Sequence, residues 1–245
     1  MRLWPRLTAW ERMWNEACRG FSDFFFMKRF WLTGLLLLWG VMTWAQQSYS
    51  AYYYQRVSLF EMLPVSPGDI VFLGNSITDG CEWNELLGRT DVRNRGISGD
   101  TSMGVYDRLG SIVQGHPAKV FLMIGINDLA AGIDLDVVEL HVKMIVKRIK
   151  SDSPSTRLYL QSVLPVNTAF TAFPAHKARK TDVVELNRRY KALALRLGVT
   201  YIDLYTPMVD PDTQELDIRY TNDGLHLLGA GYRRWAEVIR PYLDE

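Results

Sequence analysis

Short, mostly apolar runs alternate with longer amphipathic ones through most of this chain. The runs at 70–73, 120–124, 158–163 and 199–204, with the more polar segment 92–96, are bounded by turn residues and predict strands. Between them, apolar residues recur at helical spacing over 103–113, 136–150 and 182–197, and a last helix is predicted over 230–240, closed by Pro241. Thr181 reads as the N-cap of the third of these, with Glu185 in its first turn and Gly198 at its C-terminal stop. Ahead of the first strand, residues 48–63 carry Tyr49, Tyr52, Tyr53 and Tyr54 together with Val57, Leu59, Phe60 and Leu63. They predict a helix docked on the core and ended by Pro64 and Pro67-Gly68. Strands that are apolar on both faces need cover on both, and crossover helices supply it. The pattern therefore predicts an α/β fold, a parallel sheet in a three-layer α/β/α sandwich, formed by one domain over residues 46–245. Ligands of such sheets bind outside the carboxyl ends of the strands.

The first 45 residues are a different material. Five of the eight tryptophans (Trp4, Trp10, Trp14, Trp31, Trp39) precede residue 40, and Trp44 follows closely. Lys28 and Arg29 stand before the apolar run 30–42, and Thr43-Trp44-Ala45 leads into Gln46-Gln47. This is the order of a secretory signal over residues 27–45, with a basic start, an apolar middle and a small residue at the cleavage point. The run falls short of the roughly 20 residues that span a bilayer comfortably. Cleavage after Ala45, giving an exported, periplasmic or secreted protein, is the first expectation; an uncleaved anchor holding the chain to a membrane is the alternative. Met27 would begin a signal of ordinary proportions, so residues 1–26 read as an extension from a misassigned start codon. The competing reading is an amphipathic surface segment, with Leu3, Leu7, Trp10 and Trp14 at helical spacing.

Charge and cysteine content narrow the function classes. The chain holds 28 Lys plus Arg against 27 Asp plus Glu. Removing residues 1–45 takes away six basic and three acidic residues and leaves 22 against 24, a charge of about −2. Neither balance offers a field for a phosphate backbone, so nucleic-acid binding is not expected. Cys18 and Cys81 cannot build a disulfide framework and lack the spaced partners of a zinc site, so no metal is expected. Cys81 reads as a small packing residue.

Four short blocks carry candidate chemistry. Gly74-Asn75-Ser76-Ile77-Thr78-Asp79-Gly80 follows the first strand directly, placing the Ser76 hydroxyl where this architecture puts reactive groups. It is neither the Gly-x-Ser-x-Gly elbow nor a phosphate loop. Asn94-Arg95-Gly96-Ile97-Ser98-Gly99-Asp100-Thr101 ends the second strand, and Ile124-Gly125-Ile126-Asn127-Asp128 ends the third. An amide side chain and backbone N–H groups beside a nucleophile are what a developing oxyanion requires. Thr221-Asn222-Asp223-Gly224-Leu225-His226 places an acid three residues before a histidine, so that Asp223 can orient His226 as the base within one tight loop. Read alone, each block is also an ordinary turn. His116, His141 and His176 have weaker contexts and read as solvated surface residues.

Together, in this order and spacing, the blocks resemble the SGNH (GDSL-type) hydrolases, a family of esterases and lipases, over Asp69 to about Tyr232. The resemblance implies a flavodoxin-like sheet of about five parallel strands. It also implies Ser76 as nucleophile, Asp223 and His226 as acid and base, and an oxyanion hole of Gly99, Asn127 and the Ser76 N–H, with no metal or cofactor. Asn75 and Ile77 depart from the Gly-Asp-Ser-Leu wording, which bears on fine tuning beside the nucleophile. The Gly96 to Thr101 wording resembles the branch holding platelet-activating-factor acetylhydrolase subunits, sialate O-acetylesterase-like proteins and lysophospholipase/thioesterase-type enzymes. The expected substrate is a small ester, an acetyl group on a carbohydrate, because no long apolar lid shelters an acyl chain. Lysophospholipid or acyl-thioester cleavage is the enzymatic alternative, and a carbohydrate-binding module retaining the fold is the non-enzymatic one. Trp83, Phe170 and Phe173 are the candidate substrate-contacting aromatics, with plain packing as their competing role.

Overall fold

The computed structural model describes residues 48–245; the expected signal, cleavage point and N-terminal extension lie outside them. Helix α1 (Ala51–Met62) opens with Ser50 as its N-cap, whose side chain accepts from the Tyr53 N–H. Then come β1 (Ile70–Gly74), the short helices α2 (Ser76–Asp79) and α3 (Trp83–Leu87), and β2 (Val92–Gly96). Helices α4 (Ser102–Asp107) and α5 (Gly110–Val113) precede β3 (Lys119–Met123), and α6 (Ile126–Ala130) and α7 (Leu135–Asp152) precede β4 (Arg157–Gln161). The chain continues through α8 (Pro174–Lys177), α9 (Lys180–Leu197) and β5 (Thr200–Ile202) to α10 (Gly229–Ile239).

All pairings are parallel and the strand order is β2-β1-β3-β4-β5. This is the flavodoxin-like order, and it reverses direction between β1 and β3. The crevice at that reversal opens at the carboxyl ends of β1 and β3, from which the Ser76 and Asn127 blocks depart. Burial explains the continuous apolar runs: every residue of β1 and β3 is buried. On one face Phe72, Phe121 and Tyr159 sit in register across β1, β3 and β4 and stack at 5.1 and 4.5 Å between ring centroids. Trp83 of α3 extends that stack at 4.1 Å from Phe72, and Trp235 of α10 closes on it at 4.8 Å. The long helices α7 and α9 pack side by side against the opposite face, where their Val142, Ile145, Val146, Ile149, Leu186 and Tyr190 are buried.

Two expectations about helices are corrected. The segment 103–113 is two helices, because the chain turns at Arg108 and Leu109, between Gly104 and Gly110, and carries the Arg108 side chain inward to a buried ion pair. Thr181 is not an N-cap; α9 begins at Lys180, one residue earlier, with Arg179 preceding it. Gly198 does end that helix, in the left-handed conformation at φ +62°. Helix α1 docks as expected: Tyr53 and Phe60 are buried against Ile97, and the Arg95 guanidinium lies over the Phe60 ring. Among the described residues, no helix is long and apolar enough to cross a membrane.

Candidate active site

Ser76 owes its position to the two residues before it. A Cβ on Gly74 would fall 2.4 Å from the Met123 carbonyl oxygen, so a glycine is what lets the end of β1 lie against β3. Asn75 then caps α2: its Oδ1 accepts from the Ile77 N–H at 3.1 Å, and its carbonyl accepts from Thr78 and Asp79. The amide oxygen does what an aspartate would do there, which accounts for the departure from the family wording. Ser76 is the first residue of α2, half-buried, and among the described residues its N–H meets no acceptor.

The second block is held against the first. A Cβ on Gly96 would lie 2.2 Å from the Asp79 N, so this strand end also requires a glycine. Asp100 donates its N–H to the Ile97 carbonyl at 3.1 Å, and Gly99 between them has φ +81°, the third position of a type II turn. Like Ser76, Gly99 has an N–H without an acceptor among the described residues. Beneath the turn, the fully buried Asp100 carboxylate accepts from Arg108 Nε at 2.8 Å, while Arg108 Nη2 donates to the Gly74 carbonyl at 3.0 Å. One guanidinium thus ties the nucleophile's strand to the glycine turn. On the outer side, Asp79 Oδ2 accepts from the Ser98 N–H and hydroxyl and from the Tyr52 hydroxyl of α1.

The Asn127 block follows Gly125, whose φ of +130° and crowding by Leu186 and Tyr190 exclude a side chain. Asn127 Nδ2 donates to the Asp100 carbonyl at 2.8 Å, which brings the second and third blocks together. Asp128 next to it accepts from the Ser102 N–H and hydroxyl, and Ser102 Oγ also lies 3.0 Å from His141 Nδ1. His141 is therefore half-buried and bonded, not the solvated residue expected from its helix. His116 is exposed, as expected.

The fourth block folds as one tight loop. Asp223 Oδ1 accepts from the Leu225 and His226 N–H groups, both at 2.8 Å, and its Oδ2 lies 2.8 Å from His226 Nδ1. Burial pushes the Asp223 carboxyl up, but these hydrogen bonds outweigh it and hold the group below the usual carboxylate range. A carboxylate only accepts, so the proton of the pair sits on His226 Nδ1 and leaves Nε2 free to accept. That atom is 3.0 Å from Ser76 Oγ, across 150 residues of sequence. The loop needs Gly224 at φ +84°, where a Cβ would strike the Asn167 carbonyl at 2.4 Å. Asn167 in turn donates its N–H to Gly224.

The three candidate aromatics separate. Trp83 is corrected: only 1% exposed, it is part of the core stack, with its indole N–H donated to the Thr78 carbonyl. Phe170 lies behind the histidine loop, where its ring would be 3.2 Å from a Cβ on Gly224. Phe173 is at the site, 38% exposed and edge-on to His226 at 5.0 Å between ring centroids. Its φ of +52° is unusual for a bulky residue. The sequence reading missed His176, whose Nε2 is 2.9 Å from Asn127 Oδ1. Pro174 at the first position of a helical turn was the one local sign that this stretch is built rather than loose. Cys81 is buried and its thiol is pushed up to about 12 by that burial, in keeping with a packing role.

The five-stranded flavodoxin-like sheet, with the four blocks gathered at its switch point, defines a recognisable class, the hydrolases of the SGNH type. The profile of the GDSL-like lipase/acylhydrolase family matches residues 72–234, and the chain belongs to that family. It is accordingly a carboxylic ester hydrolase. Solved structures agree. A protein of Streptococcus pneumonia, provisionally described as a platelet activating factor, is 25% identical with a TM-score of 0.71, covering 86% of this chain and 99% of its own. A GDSL-like lipase of Bacteroides thetaiotaomicron is 26% identical with a TM-score of 0.68, covering 78% of this chain and 97% of its own. An acetylxylan esterase of Geobacillus stearothermophilus, 18% identical with a TM-score of 0.61 over 73% of this chain and 95% of its own, shares the fold. No curated protein matches the chain significantly.

Proposed function

We propose that the chain is a serine esterase that removes a small acyl group, an acetyl, from a carbohydrate. The observation that carries the mechanism is the unbroken relay from Asp223 through His226 to Ser76, at 2.8 and 3.0 Å. In the proposed reaction Ser76 Oγ attacks the ester carbonyl as its proton passes to His226 Nε2. The carbonyl oxygen becomes an oxyanion and receives the N–H groups of Ser76 and Gly99 and the second Nδ2–H of Asn127, the first being held by Asp100. Collapse expels the sugar hydroxyl, protonated by His226, and leaves an acyl group on Ser76. Water, deprotonated by the same imidazole, then releases the acid and restores the serine.

The aromatic side of the site supports the carbohydrate reading. The segment that returns over the site, residues 168–179, forms a single helical turn and offers Phe173 as its large apolar side chain beside His226. An exposed aromatic edge of this kind suits the face of a sugar ring. The order of Lys28-Arg29, the apolar run and Ala45 supports export, and the natural mature protein is expected to begin at Gln46 on N-terminal sequencing.

The function is tested by labelling and by turnover on three ester types. A fluorophosphonate probe should modify Ser76 alone, located by peptide mass spectrometry, and the enzyme should release acetate from acetylated xylo- or other oligosaccharides faster than it cleaves lysophospholipid or acyl thioesters. A protein that stays unlabelled would be a binding module. Faster lysophospholipid or thioester cleavage would overturn the carbohydrate assignment and leave the nucleophile standing.

A further inference from the structure

The segment carrying Phe173 does more than wall the site. Phe173, in the left-handed region, and Pro174 turn the chain into α8, and this turn directs His176 back to the third block. His176 Nε2 lies 2.9 Å from Asn127 Oδ1, and its Nδ1 is buried without a partner among the described residues.

The positions of the protons follow from what each neighbour can accept. The Asp100 carbonyl oxygen, 2.8 Å from the Asn127 amide, only accepts, so it faces the amide nitrogen. The amide oxygen therefore faces His176. It too only accepts, so His176 Nε2 must carry the proton. A second proton on Nδ1 would leave an unpaired buried N–H beside His226. Burial and the neighbouring His226 accordingly lower the proton affinity of His176 below that of an ordinary histidine. His176 is thus a neutral imidazole with a defined tautomer.

Resting on the reading above, in which Asn127 donates to the oxyanion, we infer that His176 is a positioning residue that clamps the Asn127 amide in the donating orientation through its Nε2–H. An amide at this position has two orientations. In the observed one it donates to Asp100, accepts from His176 and aims its remaining N–H into the site. Turned by half a rotation, it would set oxygen against the Asp100 carbonyl and nitrogen against the His176 N–H, losing both bonds and presenting an oxygen to the developing negative charge. Asp100 and His176 together exclude that state before substrate arrives, which is the preorganisation an oxyanion hole depends on. The same turn places Phe173 against His226, so one short segment braces both the base and the amide donor.

The test is a kinetic cycle on a chromogenic acetate ester, with circular dichroism to confirm folding. His176→Phe keeps the ring's bulk and removes the donor; it should lower kcat by about 10- to 100-fold with KM changed less than about threefold, a smaller loss than removing an oxyanion donor outright. His176→Gln returns an N–H at similar reach and should recover most of kcat. In an Asn127→Ala background, His176→Phe should cost nothing further, because the group it orients is gone. Nitrogen-15 spectra of the wild-type protein should show His176 as the neutral Nε2–H tautomer. Wild-type kcat in His176→Phe, a full multiplicative loss in the double variant, or an Nδ1–H tautomer would each overturn the inference. Ser76→Ala measured alongside keeps the two readings apart: turnover surviving there would overturn the assigned nucleophile, while a dead Ser76→Ala with an indifferent His176→Phe would remove only the clamp.

Discussion

Replacing Ser76 by alanine should reduce kcat for ester hydrolysis by about a millionfold, the scale at which loss of a triad serine leaves only binding and oxyanion stabilisation. The prediction is sharp because nothing nearby can substitute. Cys81, five residues on, is buried and keeps its proton, so its sulfur is neither accessible nor nucleophilic. The change should leave the fold intact. Ser76 Oγ is hydrogen-bonded to His226 in the described residues, and α2 is capped by Asn75 rather than by Ser76. Circular dichroism and the thermal midpoint of Ser76→Ala should match those of the unaltered protein. Turnover within tenfold of wild type would show that the hydrogen-bonded relay is not the catalytic one.

Trp83→Ala should produce the opposite pattern, a large loss of stability with its cause far from the chemistry. The indole is stacked on Phe72 and wedged against Trp235 and Tyr232, and its N–H is satisfied by the Thr78 carbonyl. Removing it opens a cavity between the sheet and α10, at a cost of about 3–5 kcal/mol by analogy with other buried aromatic truncations. In a domain of this size that lowers the thermal midpoint by roughly 6–20 °C. At a temperature where the variant remains folded, KM for a small ester should be unchanged. A raised KM with an undisturbed melting curve would return Trp83 to the substrate site. Trp83→Phe should fall between, keeping the stack and losing the hydrogen bond to Thr78.

These two residues also show how far a linear reading reaches. Ser76 and Trp83 are seven positions apart, both close behind β1, and both looked eligible for the site. What separates them is the direction each short helix faces: α2 presents its first residue to the crevice, whereas α3 turns its first residue toward the sheet. That direction is set by contacts with Phe72 and α10, which local pattern does not contain. Asp223 and His226 were legible for the converse reason. An acid three residues before a histidine closes its own hydrogen bond within one loop, so the geometry is written locally. The strands were equally legible, since burial on both faces leaves little but apolar residues at 70–74 and 119–123. The break at Arg108 was not. The apolar spacing of 103–113 suits one helix, and the inward course of the guanidinium depends on Asp100 and Gly74 waiting below.

The sequence by itself determined the layered α/β architecture, the four blocks, and the place of the first three at the carboxyl ends of strands. It did so because apolar runs, glycines in tight turns and a short acid-to-histidine spacing are constraints satisfied within a few residues. Only the tertiary structure decided which aromatic rings meet the site, that His141 and His176 are bonded rather than solvated, and that a buried Asp100–Arg108 pair joins two of the blocks. Those outcomes depend on partners 8 to 152 residues away, from Arg108 beneath Asp100 to Trp235 against Trp83. A histidine in a basic, proline-containing loop carries no local sign of the amide it will face, because that amide reaches it only when β3 and β4 have paired and their loops meet over the same edge of the sheet.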